Sequence, residues 1–319
     1  MKARKALLQT FKVVVSLGLI GFLVWKISPG KIAANLKNVN PYWLVAGAGL
    51  FSLSSVLGAL QWYILLKESE MRISFLTAVR FYFVGLFFNN FLPANVGGDA
   101  FKIFDVSKRG YDPFRVFAIT LLDRIFGILG LCAVALAASL ILLPRGLIEN
   151  LYIYIGIFGG IILSAVVLAF SRPVTRLVRR LFSGIKLFDL GSRMTIIFNQ
   201  LGELRNVRPV MFRVTCLALV VQSLRVSTHI MVGGALGLEL SGLVPLYFFV
   251  FVPLLGLIMI LPISINGLGV REGAGILLFA GVSVAGEQAL LIEFITYVIM
   301  VMVSLAGGIF FLKRHVSRN

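Results

Sequence analysis

Long apolar stretches recur along this chain, and no other feature narrows its possible folds so far. They lie at 13–24, 42–66, 116–143, 151–170, 214–238, 243–265 and 289–312. A helix rises about 1.5 Å per residue, so about 20 residues cross a hydrocarbon core about 30 Å thick. Most of the stretches are that long. Lipid offers no partner to a backbone N–H or C=O, so the spanning element must satisfy itself, and helices are the default. Only 13% of the 319 residues are charged, about half the share of a soluble domain. The expectation is an all-α integral membrane protein, one polytopic domain over 1–319. Lys2, Arg4 and Lys5 precede the first apolar stretch as in a signal peptide. No small-x-small cleavage site follows, however, and Trp25-Lys26 reads as an interface anchor, so the stretch is taken as a first transmembrane helix. Cys132 and Cys216 sit far apart, in or at the start of apolar runs. They are read as packing residues, with no disulfide, metal or cofactor implied.

The formal charge of +17 suggests cytoplasmic loops drawn to an anionic leaflet rather than nucleic acid, because no soluble domain is available to present a groove. The segment 171–213 carries Arg172, Arg176, Arg179, Arg180, Lys186, Arg193, Arg205, Arg208 and Arg213 against Asp189 and Glu203. The positive-inside rule places it in the cytoplasm with both termini. If every apolar segment crossed fully, this loop would fall outside. The parity is repaired if 75–98 enters from the cytoplasm and returns, and 243–286 dips in from the outside. The predicted topology is six full crossings and two oppositely oriented re-entrant hairpins, an inverted pseudo-repeat in the cell (inner) membrane with cytoplasmic termini. It places Lys102, Lys108, Arg109 and Arg115 on the cytoplasmic side, and leaves Lys26, Lys31 and Lys37 outside as its weak point.

The two expected hairpin tips resemble each other. One reads Phe91-Leu-Pro-Ala-Asn-Val-Gly-Gly-Asp99 and the other Ile260-Leu-Pro-Ile-Ser-Ile-Asn-Gly-Leu-Gly-Val-Arg-Glu272. Each has Leu-Pro, an Asn, close glycines and then an acid. Proline breaks a helix and glycine permits tight turns with exposed donors. Gly/Pro-interrupted apolar segments at matching places in two halves are the sequence signature of a transporter site. Ordinary loops punctuated by Gly and Pro are the alternative.

Charged residues at bilayer depth mark pathways or internal pairs. Asp123-Arg124 lies in the stretch 116–143, Gln222, Arg225 and His229 in 214–238, and Glu293 early in the last stretch. Asp99 and Lys102 flank the first tip, Arg271 and Glu272 the second. Neighbours in a helix do not face each other, so Asp123 and Arg124 each need a separate partner. Gln222, Arg225 and His229 share one helix face, which should look into the bundle. A buried guanidinium suits a phosphate, which makes Arg225 a candidate ligand, with His229 as a proton relay. Pairing for structure alone is the competing reading. Gly233 and Gly237 form a small-x-x-x-small pair, a feature of close helix contact and of oligomers.

Three segments carry a family resemblance: Asn90-Phe-Leu-Pro-Ala-Asn-Val-Gly-Gly-Asp-Ala-Phe-Lys102, Leu121-Leu-Asp-Arg-Ile-Phe-Gly127 and Leu261-Pro-Ile-Ser-Ile-Asn-Gly-Leu-Gly-Val-Arg-Glu-Gly273. In this order they resemble the transmembrane region of lysylphosphatidylglycerol synthases, over essentially the whole chain. The resemblance implies a flippase-like fold that moves a lipid with a polar or charged headgroup. The matching positions are Pro93, Gly97, Gly98, Asp99, Asp123, Arg124, Pro262, Gly267, Gly269, Arg271 and Glu272. Lys102 departs from the pattern, which more often has an arginine there. No counterpart of the synthase's soluble aminoacyl-transferring domain is expected, so neither is lysyl transfer.

The leading expectation is therefore a flippase or scramblase, not an enzyme. Its lipids would carry phosphate-containing headgroups: phospholipid, aminoacyl-phospholipid or polyprenyl-phosphate-linked sugar. The expected transport residues are Asn95, Gly97, Gly98, Asp99, Lys102, Asp123, Arg124, Arg225, Asn266, Gly267, Gly269, Arg271, Glu272 and Glu293. Two readings compete: a membrane scaffold without transport, and a membrane-embedded lipid-phosphate enzyme. The latter is disfavoured by the two histidines and the lack of a metal-ligand spacing.

Overall fold

A computed structural model of the chain describes residues 39–90, 97–146, 148–170, 208–260, 269–282 and 284–316. Among them every regular element is a helix. In chain order these are α1 Pro41–Glu68, α2 Phe75–Asn89, α3 Gly97–Ser107, α4 Pro113–Leu142, α5 Leu151–Phe170, α6 Arg208–Ala235, α7 Val244–Ile258, α8 Val270–Ala280 and α9 Gly286–Val316, with a short 3-10 turn at Leu143–Arg145. Among the described residues four helices, α1, α4 (with its 3-10 extension), α6 and α9, are long and apolar enough to cross a membrane. The expected first transmembrane helix lies outside the described residues.

Local chemistry sets the helix starts. Asn40 accepts the N–H of Tyr42 at 3.0 Å ahead of Pro41, and Asp112 accepts the N–H of Arg115 at 2.8 Å ahead of Pro113. Each satisfies an orphan donor, while proline at N1 forfeits none. Two sequence boundaries shift. Arg208 and Arg213 belong to the first turns of α6, so the basic segment predicted to end at 213 gives way to helix at 208. The returning limb of the first hairpin runs on to Ser107, well past the predicted 98.

The helix lengths repeat. The quartet α1–α4 has 28, 15, 11 and 30 residues, and the quartet α6–α9 has 28, 15, 11 and 31. Their first members run antiparallel. The N–H of Asn40 donates to the carbonyl of Ala235 at 3.0 Å, a Cβ on Gly47 would lie 3.5 Å from Met231, and Leu65 and Leu66 share an apolar cluster with Val210 and Val214.

The short helices form two hairpins. In the first, Gly98 lies against Gly85, and the Lys102 ammonium sits 4.9 Å above the Tyr82 ring. In the second, Phe279 packs on Phe248 and Phe251 with ring centroids 4.9 and 5.3 Å away. The hairpin bases lie at opposite ends of the bundle. Ala78 and Val106, at the base of the first, join Leu66, Val116 and Val210. Phe248 and Phe279, at the base of the second, join Leu142, Leu151 and Leu236. At about 1.5 Å per residue the limbs reach about 22 and 16 Å, short of a hydrocarbon core of about 30 Å.

Close backbone contacts seat the first hairpin. A Cβ on Gly307 of α9 would overlap the Phe83 carbonyl, and one on Gly98 would overlap the Gly85 carbonyl oxygen. Gly237, by contrast, follows α6 in a turn with φ 79, and Gly233 faces Leu238 and Phe248. The pair at 233 and 237 therefore forms no helix-contact face, correcting the sequence reading. Cys132 packs in the core as expected, but Cys216 is exposed on α6.

Gly98→Ala is expected to destabilise the protein by about 1–3 kcal/mol, because backbone rather than a flexible side chain blocks the added methyl. Gly160→Ala, where nothing lies within 4 Å, should be neutral or slightly stabilising. Melting temperatures of the purified variants in detergent test the contrast.

Candidate functional site

Each hairpin carries an acid at the third residue of its returning helix. α3 opens Gly97-Gly98-Asp99 and α8 opens Val270-Arg271-Glu272. A carboxylate there lies near the free N–H groups and positive end of the helix dipole. From these two acids two charged clusters are built.

In the first, Asp99 is buried and bridges two cations. Its Oδ1 lies 2.8 Å from Lys102 Nζ, and its Oδ2 accepts from Arg124 Nε. Lys102 is only 6% exposed, so it lies inside the protein, with the acid beside the first tip. Its ammonium rests 5.3 Å above the Trp62 ring and 4.9 Å above that of Tyr82, attracted by the negative faces of both. Trp62 donates to Thr120 Oγ1 at 3.2 Å, which fixes its ring. Asp123 accepts from Gln61 Nε2 at 2.8 Å. Adjacent on α4, Asp123 and Arg124 thus turn to different partners, as helix geometry demands. Arg225 donates from Nη2 to Tyr82 Oη at 3.2 Å, and its Nε has no hydrogen-bond partner. The cluster sets Asp99 and Asp123 against Lys102, Arg124 and Arg225, a formal excess of one positive charge.

The second cluster is drier. Gly269 has φ 82, a conformation that glycine adopts readily, and its N–H donates to Glu272 Oε2 at 2.6 Å. Arg271, 3% exposed, places Nη2 3.4 Å from Glu272 Oε1 and Nε 3.3 Å from Glu293 Oε2, with its guanidinium 5.1 Å above the Tyr297 ring. Glu293 is fully buried, and neither of its oxygens has a hydrogen bond. His229 completes the group, with Nε2 3.5 Å from Glu293 Oε2 and Nδ1 3.1 Å from the carbonyl of Arg225. Gly275 keeps α8 close here, since a Cβ on it would stand 3.1 Å from Glu293 Cγ.

One face of α6 joins the clusters. Gln222 donates to the carbonyl of Gly127 on α4 at 3.0 Å. Arg225 reaches the first cluster with its guanidinium and touches the second through its carbonyl, and His229 lies one turn further on. Of the expected residues, Gly98, Asp99, Lys102, Asp123, Arg124 and Arg225 come together, as do Gly269, Arg271, Glu272 and Glu293. Gly97 begins α3. Asn95, Asn266 and Gly267 lie outside the described residues. Sequence reasoning missed Gln61, Trp62, Tyr82 and Tyr297. Gln61 interrupts the apolar stretch 42–66 and was a usable signal, whereas the aromatics read as ordinary core.

Asp99→Ala leaves Lys102 buried without its carboxylate and should cost about 3–5 kcal/mol. Adding Lys102→Met should recover part of that loss. Unfolding of both variants in detergent measures the difference.

The chain is similar to two membrane proteins of archaea. It is 23% identical to a UPF0104 membrane protein of Pyrococcus horikoshii over 120 residues, 37% of this chain and 36% of the relative. It is 25% identical to a UPF0104 membrane protein of Methanothermobacter thermautotrophicus over 141 residues, 44% of this chain and 39% of the relative. The matched regions thus span less than two-fifths of either relative's length. The family model of the lysylphosphatidylglycerol synthase TM region matches residues 9–308. The chain belongs to the family of the lysylphosphatidylglycerol synthase transmembrane region.

Proposed function

We propose that this protein is a flippase or scramblase that passes the polar headgroup of a phosphate-bearing lipid between leaflets while the tails stay in the bilayer. The observation that carries the reading is the pair of short hairpins, based at opposite ends of the bundle, whose charged inner ends line up along one face of α6. Six full crossings and two re-entrant hairpins follow in this reading, with the first hairpin entering from the cytoplasm and the second from outside. The protein would lie in the inner membrane with both termini and the basic segment that precedes α6 on the cytoplasmic side.

Arg225 is the residue best suited to meet a headgroup. It is partly buried, and its Nη2 donates to a neutral phenol rather than to a carboxylate. A phosphate can therefore bind it without breaking an internal ion pair. Arg124, a third exposed along its side chain, offers a second contact toward the same cluster. Arg271 is enclosed by two carboxylates and an aromatic ring, so it orders the second hairpin rather than receiving an anion directly. The mutual closure of Asp99, Lys102 and Arg124 favours one other reading, a scaffold held together by its charges. Transport separates the two.

Liposomes containing the purified protein and fluorescent phospholipids or polyprenyl phosphates provide the test. Wild type should move at least one headgroup class across the bilayer. Arg225→Ala should lower that rate by about 100-fold, the scale of losing a charge-assisted contact, while Arg225→Lys retains part of it. Equal rates for wild type and a correctly folded Arg225→Ala would reject this role for Arg225. Absence of movement across the panel would favour the scaffold.

A further inference from the structure

We infer that His229 and Glu293 hold one proton between them, and that this pair is the proton-binding site through which headgroup movement is coupled to protons. The coupling rests on the transport reading above, whereas the proton site rests on geometry alone.

The argument starts at the other ring nitrogen. His229 Nδ1 lies 3.1 Å from the backbone carbonyl of Arg225, which only accepts, so Nδ1 carries a hydrogen. A neutral imidazole then presents a lone pair at Nε2. Glu293 Oε2 lies 3.5 Å from that nitrogen, and an ionised carboxylate is also only an acceptor. Two acceptors facing each other in a buried site repel. The contact becomes favourable when a proton is present, on the imidazole or on the carboxyl.

The charge balance agrees. Arg271 and Glu272 come from α8, Glu293 and Tyr297 from α9, and Arg225 and His229 from α6. α1 and α7 bring Gly47 and Phe248 to this part of α6. Arg225 directs its guanidinium away to Tyr82. One guanidinium, that of Arg271, is left to face two carboxylates, an excess of one negative charge in a site where Glu293 has no exposure and no hydrogen bond. An unneutralised charge there costs several kcal/mol. One proton removes the excess.

The position gives the proton a consequence. Arg271 and Glu272 lie in the first turn of α8, so the pair links the inner end of the second hairpin to α6 and α9. Losing the proton sets Glu293 against the His229 lone pair, which loosens α6 from α9, while Arg271 still ties α8 to Glu293. The proton thereby governs how firmly α6 is held against α9 beside the inner end of the hairpin. Arg225, whose carbonyl orients His229, is also the residue proposed to meet the headgroup.

Nitrogen NMR of labelled histidine tests the site without any transport. In His315→Asn, His229 is the remaining imidazole, since the chain has two histidines. In lipid nanodiscs, Nδ1 should stay protonated throughout while Nε2 titrates, and Glu293→Gln should displace that titration. An Nε2 signal insensitive to both pH and Glu293→Gln overturns the site, and if Glu293→Gln fails to fold, the His315→Asn titration decides alone. Liposomes under an imposed pH gradient test the coupling. The gradient should change the wild-type rate by about tenfold and leave that of His229→Gln unchanged. A wild-type rate indifferent to the gradient overturns the coupling. Absence of any lipid movement defeats the transport reading and the coupling built on it, while the NMR result for the proton site stands on its own.

Discussion

A helix that stops inside a bilayer leaves about four N–H or four C=O groups at its end without partners, and lipid supplies none. On the proposed topology two hairpins end partway through the bilayer and must bring their own hydrogen-bonding groups, and much of the polar chemistry answers that need. Asn89 at the end of α2 accepts the N–H of Gly98, 2.8 Å across the tip. Asn90 donates to Ser304 on α9 at 2.6 Å. Glu272 takes the N–H of Gly269, and Asp99 occupies the same place on the first hairpin. Glu272 thus serves both its cluster and the start of α8.

Once an acid is fixed at such a depth, it requires a cation, and the cation in turn requires shielding. Asp99 draws in Lys102 and Arg124, and Trp62 and Tyr82 cover the Lys102 ammonium. Glu272 draws in Arg271, which then meets Glu293 and Tyr297. The clusters differ where it matters. The first has spare positive charge and a partly exposed guanidinium, which suits an anionic headgroup. The second has spare negative charge, no exposure at Glu293 and a histidine, which suits a proton. Glycines permit both arrangements, because Gly85, Gly98 and Gly275 allow the limbs to lie within reach of short side chains.

The long helices and the two interrupted segments were legible because apolar length and Gly/Pro placement act locally. The divergence of Asp123 and Arg124 was legible for the same reason, since it follows from helical periodicity. The shielding of Lys102 was not legible, because it depends on two rings supplied by other helices. Trp62 and Tyr82 gave no warning, since an aromatic in an apolar stretch looks the same whether it faces lipid, a core or an ammonium. The near-equal lengths of the two quartets emerged only once the helix ends were known. The tip similarity of a dozen residues had hinted at a repeat without fixing its extent.

The central claim is that the two hairpins enter from opposite sides and return without crossing. Single cysteines in a Cys132→Ala/Cys216→Ala background, labelled from one face of sealed vesicles at a time, test it most directly. Glu70→Cys and Lys108→Cys flank the first hairpin, and Ser241→Cys and Ala285→Cys flank the second. The account predicts that the first two label from one face and the other two from the opposite face. Glu70→Cys and Lys108→Cys reacting from different faces would mean that the first hairpin crosses the bilayer, and would contradict the account.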